Sequence, residues 1–194
     1  MKRLFPILTM ALLVVCSPDA FAQEFPPVDK SPLDIAYYPT RAAFRAFAKT
    51  DAEKESLQPV MKVTYSRPMK NDRNIFGELI KYGEVWRLGA NESTELFLYQ
   101  DVTLSGTNLE AGRYTVYAVP NEKEWEIHVS SDLDNWGAYA FKPAESTIVK
   151  LTVPTEQTEE TLEAFSVVFE KIDDNTVHMI MGWDDTMVRV PFNL

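Results

Sequence analysis

From residue 58 onward the apolar residues settle into a period of two, and this rhythm constrains the fold more than any other feature of the chain. In residues 147–153, Val149, Leu151 and Val153 alternate with Lys150 and Thr152. Successive side chains of a strand point to opposite faces, so the pattern predicts a strand with one buried face and one wet face. Further strands are predicted at residues 60–65, 84–88, 94–99, 102–105, 114–119, 125–129, 138–141, 164–172, 177–182 and 187–190, separated by turn formers such as Gly112, Pro120-Asn121 and Asp173-Asp174-Asn175. Pro68 and Pro154 are expected to stop strands, because proline cannot donate to a ladder. No long helical patterns alternate with these segments, which argues against a parallel α/β sheet. The expected fold is all-β, an antiparallel β-sandwich of about 9–11 strands over residues 58–194.

The region before it reads differently. Met1-Lys2-Arg3 precedes a run of mostly apolar residues from Leu4 to Val15, too short to cross a bilayer as a helix, and Ala20-Phe21-Ala22 follows with small-x-small spacing. Residues 1–22 are therefore expected to be a signal peptide cleaved before Gln23, which predicts an exported, periplasmic or extracellular protein. Cys16 invites a lipoprotein reading, but Val14-Val15 stands where a small residue is required. Residues 23–57 are expected to form an extended arm, rich in proline at Pro26, Pro27, Pro32 and Pro39, then one short helix capped by Thr40 with Phe44, Phe47 and Ala48 on its packed side. Leu33, Ile35, Tyr37 and Tyr38 should hold the arm against the domain.

Removing 22 of the 194 residues leaves 172, enough for one domain with a sizeable core. The lone cysteine leaves with the leader, so neither a disulfide nor a cysteine-bound metal is expected. Lys2, Arg3 and Asp19 leave too, so 19 basic and 29 acidic residues become 17 and 28, a net charge of −11. Such a surface repels phosphate backbones, which disfavours a nucleic-acid partner. No second apolar run approaches membrane-spanning length.

Several motifs carry a resemblance. Residues 28–35 with Tyr37-Tyr38-Pro39, Tyr65-Ser66-Arg67-Pro68, residues 75–79, residues 82–87 with Gly89-Ala90-Asn91-Glu92, Ala111-Gly112-Arg113-Tyr114, residues 132–139 and Met181-Gly182-Trp183-Asp184 resemble the domain of unknown function 2911 family. The resemblance spans nearly all of the chain beyond the leader. It implies an exported protein of Bacteroidetes-type bacteria with no assigned activity, and it transfers no catalytic residue. The chain departs from the family pattern at Lys81, where proline is common, and at Leu88, where threonine is common.

Candidate sites follow from residue chemistry. Residues 86–95 gather Trp86, Arg87, Asn91, Glu92 and Glu95 around an expected strand-turn-strand. Such a set suits a sugar, with Trp86 stacking on its apolar face and Arg87, Asn91 and Glu92 bonding its hydroxyls. The structural alternative pairs Arg87 with Glu92 or Glu95 to lock the turn and puts Trp86 in the core. Tyr65, Arg67, Lys70 and Arg73 form a candidate rim for an acidic ligand. His128 and His178 with Glu126 lack the spacing of a metal site, and residues 132–137 begin like a calcium loop but put Trp136 and Pro143 where ligands are required. No GxSxG elbow is present. The leading expectation is a non-catalytic binding module for a glycan or envelope component, with no cofactor. The alternatives are a small secreted hydrolase using Glu92 with Glu95 or Asp101, and a structural envelope protein docking through a strand edge.

Overall fold

The computed structural model describes residues 24–139 and 141–194; the expected signal peptide lies outside them. The elements in chain order are β1 (Leu33–Tyr38), a 3-10 helix (Ala42–Phe47), α1 (Asp51–Ser56), β2 (Met61–Ser66), β3 (Thr94–Leu98), β4 (Val102–Leu104), β5 (Thr107–Leu109), β6 (Gly112–Pro120), β7 (Glu124–Ser130), α2 (Pro143–Ser146), β8 (Thr147–Lys171) and β9 (Thr176–Asn193). Among the described residues the nine strands join one antiparallel sheet in the order β1-β2-β3-β6-β7-β8-β9-β4-β5. The all-β, antiparallel class expected from period two is therefore present. The hydrogen bonding makes one open sheet rather than two.

Two segments read as separate strands on each side of a break are in fact continuous. β8 runs through Pro154, which pairs with Glu124 at the last position of the β7 ladder, where β8 changes partners. From Thr155 its partner is β9, with register shifts between Gln157 and Leu162 and between Leu162 and Ser166 that bend the long strand. The turn at residues 173–175 links β8 to β9 as expected, with Asn175 N donating to Asp173 Oδ1 at 2.8 Å.

The sheet curls so that its two ends share one core. Trp86 lies at the centre, with its ring centroid 5.6 Å from Trp125, 5.0 Å from Phe165 and 6.1 Å from Trp183. Tyr65 of β2 meets Phe165 of β8 edge-on at 5.6 Å. The backbone after β2 also reaches β8, Phe165 N donating to Pro68 O at 3.1 Å.

Other expectations change. Residues 84–88 make no strand; Trp86 alone bridges to Ala118 before Leu88 and Gly89 turn the chain with positive φ. Residues 138, 139 and 141 lie outside any strand. Residues 33–38 are extended as expected but hydrogen-bond as an edge strand, with Leu33 and Ile35 exposed. The helix expected after Thr40 is a 3-10 helix with no side-chain cap, and Phe44 and Phe47 are 55% and 79% exposed. A 3-10 turn eclipses residues three apart, so the two rings lie on one outward face. The capped helix is instead α1, where Thr50 Oγ1 accepts from Glu53 N at 3.1 Å and Glu53 Oε2 accepts from Lys49 N at 2.8 Å.

Candidate functional site

The strand period that fills the core also builds an outer face. Val63, Leu96 and Val116 are buried inside, so Thr64, Glu95 and Thr115 face outward, aligned across β2, β3 and β6. These three form the floor of a cavity of about 310 Å³ whose walls are Leu33, Glu92, Ser93, Leu133, Asp134, Asn135 and Trp136.

Two loops make the walls, zipped together by backbone. Ser93 N donates to Asn135 O at 2.9 Å, and Gly137 N donates to Asn91 O at 2.7 Å. Ser93 Oγ adds a bond to Gly137 O at 3.1 Å, and Glu92 bridges Trp136. The first loop needs its glycine: Gly89 has φ 143, and a Cβ there would lie 2.9 Å from Ser66 O. Asn91 tolerates φ 57, as asparagine does, and its Nδ2 donates to Asp29 Oδ1 at 3.0 Å, tying the arm to the groove rim.

Trp136 is 64% exposed and stacks with Tyr139, which is 88% exposed, at 6.3 Å with planes 24° apart. This pair presents aromatic surface beside three carboxylates. Two of them are already engaged. Arg113 donates to Glu95 at 2.6 Å and to Asp134 at 2.5 Å, and these hydrogen bonds hold its guanidinium above the usual range. Glu92 makes no ion pair among the described residues.

The sequence candidates divide. Asn91, Glu92 and Glu95 come together at the groove. Trp86 does not; it is 3% exposed in the core, its Nε1 donating to Gly89 O at 3.2 Å. Arg87 pairs with neither Glu92 nor Glu95, because Arg113 takes Glu95 and Glu92 stays in water. Its Nε is sealed from solvent with no acceptor, and burial pushes its guanidinium down despite the opposing influence of Tyr139.

Tyr65 and Arg67 belong to a separate cavity of about 280 Å³ between β1 and β8. There Arg67 straps the seam, donating to Asp34 Oδ2 and Ser166 Oγ, each at 3.0 Å, and to Phe165 O at 3.3 Å. Burial raises the Tyr65 hydroxyl. Arg73 turns back onto its own loop, Nε donating to Lys70 O at 2.8 Å and Nη2 to Met69 O, while Lys70 lies 3.6 Å from Asp184. The expected cationic rim is therefore not assembled.

The chain matches the family model described as "Protein of unknown function (DUF2911)" over residues 48–192. It belongs to this DUF2911 family. No curated protein matches the chain. No solved structure matches it either.

In this DUF2911 member the residues missed from sequence are Trp136, Tyr139, Asp134, Asn135, Thr64 and Thr115. One signal was legible: Trp136 stands among Asp132, Asp134, Asn135 and Gly137, a turn composition that gives a large ring nowhere to bury. A second polar cluster lies along the outer face. His128 Nε2 lies 2.6 Å from Glu126 Oε1, Glu126 Oε2 lies 2.6 Å from Lys150, and Tyr117 stacks on His128 at 4.6 Å. Among the described residues no three potential ligands gather to hold a metal ion, and no helix is long and apolar enough to cross a membrane.

Proposed function

We propose that this protein is exported to the cell envelope and binds a glycan, without turning it over, in the groove between residues 91–93 and 133–136. The observation that carries the reading is Trp136, a large ring left mostly exposed at the wall of a cavity floored by Thr64, Glu95 and Thr115. An indole face takes the C–H surface of a sugar ring, while hydroxyls, the Asn135 amide and carboxylates bond its rim. At about 310 Å³ the cavity sits at the small end of ligand sites, which run from roughly 300 to 1,000 Å³, matching a short saccharide. Export is supported by the charged, apolar and small-residue order of residues 1–22.

The hydrolase alternative is less favoured by this geometry. It needs two carboxylates free to act on a sugar, and Glu95 is committed to Arg113 at 2.6 Å.

Titration calorimetry against a panel of oligosaccharides tests the proposal. Saturable binding that is lost in Trp136→Ala supports it. A panel in which no sugar of any charge binds overturns it, and release of reducing sugar overturns the non-catalytic part.

A further inference from the structure

We infer that the bound glycan carries an anionic substituent, a carboxylate or sulfate, and that Arg87 receives it. The inference rests on the glycan reading above and adds the ligand's charge.

Arg87 stands apart from the other arginines among the described residues. Arg67 pairs with Asp34, Arg113 with Glu95 and Asp134, and Arg189 with Glu156 and Glu170. Arg73 bonds backbone carbonyls, and Arg41 and Arg45 are out in water. Arg87 is half-buried, its Nε is sealed with no acceptor, and its side chain makes no hydrogen bond or ion pair among the described residues. Desolvating a guanidinium without a counter-charge is costly, and a fold keeps such a group where something else supplies the charge.

The backbone sets Arg87 beside the groove. Trp86 bridges Ala118 of β6 and Thr94 N donates to Arg87 O at 3.3 Å, so Arg87 lies at the end of β3 beside β6, and with Trp86 and Leu88 buried in the core it is left toward the outer face that carries Thr115. Tyr139 stacks on Trp136 of the groove wall, and its influence opposes that of burial on Arg87. A sugar ring against Trp136 thus brings a charged substituent toward the guanidinium, whose fork matches planar and tetrahedral oxyanions. The acids of the site do not forbid this, since Glu95 and Asp134 converge on Arg113.

The test compares matched oligosaccharides that are neutral, uronate-bearing or sulfated, titrated into the purified protein at low and high salt. The expected result is at least about tenfold tighter binding of one anionic series than of the neutral parent, the effect of a charge-assisted hydrogen bond, and an advantage that shrinks with salt. In Arg87→Gln the advantage disappears while neutral binding persists. Arg87→Lys, which keeps the charge and loses the fork, retains only part of it and serves if the glutamine variant does not fold. The uronate and sulfate arms identify which oxyanion is held. Neutral and anionic sugars binding equally, or a preference that survives Arg87→Gln, overturns the inference while leaving the glycan reading intact. Absence of binding by every sugar defeats the glycan reading itself.

Discussion

Glu92 and Trp136 face each other across a single antiparallel bridge, although 44 positions separate them in the chain. That pairing joins an acid and an aromatic ring at one groove wall. It also separates two kinds of tryptophan in this protein, the buried and the presented, and the separation is open to measurement.

Replacing Trp136 with alanine is expected to abolish glycan binding while changing unfolding free energy by less than about 0.5 kcal/mol, the usual effect of a surface substitution. The ring is mostly in water, so little burial is lost. Calorimetry and urea denaturation on the same preparation check both halves, and a large loss of stability would mark the ring as structural.

Trp86→Ala should do the reverse. It removes a ring packed against Phe76, Trp125, Phe165 and Trp183, and a buried tryptophan truncated to alanine costs about 3–5 kcal/mol. Denaturant midpoints at constant slope read this directly.

Gly89→Ala is expected to cost about 1–3 kcal/mol, because the φ of 143 is strained for any Cβ and the new methyl would press on Ser66 O. The loop carrying Asn91 and Glu92 shifts with it, so groove binding weakens as well. An unchanged melting temperature would contradict the close approach described for β2.

The Glu126 carboxyl is held below its ordinary value of 4.5. Burial pushes it up, but the hydrogen bonds and charge interactions of Lys150 and His128 together outweigh burial. A carboxylate lowered on folding stabilises the protein above its unfolded pKa, and that stability is lost as pH falls through the folded value. Glu126→Gln should therefore be less stable than the parent at pH 7, with the gap closing below about pH 4.5. Paired denaturation curves from pH 7 to pH 3 test it; a gap that stays constant would show that ionisation of Glu126 plays no part.

Strand period was legible because it is local. The alternation of Val149, Leu151 and Val153 with Lys150 needs no knowledge of partners, and the structure forms that strand, pairing it with β7. Continuity was not legible: Pro154 reads as a stop, and only the change of partner from β7 to β9 explains why a missing N–H is harmless there. In the site, Asn91, Glu92 and Glu95 were found because turn chemistry concentrates them. Residue chemistry leaves Trp86 open between a sugar platform and the core and gives Trp136 no role beyond a turn; the fold covers the first ring and presents the second. The partner of Glu95 is Arg113, contributed by the neighbouring strand β6, and no spacing rule points to it.

β8 has one last consequence. Its residues 147–154 pair with β7, whereas from Thr155 onward the same strand serves β9. One uninterrupted stretch of backbone thus joins the ladders of β1, β2, β3, β6 and β7 to that of β9, and fraying it would part the two. A disturbance of the β8–β9 hairpin therefore has a route through β7 and β6 to the groove on β2, β3 and β6, without touching any residue that lines it.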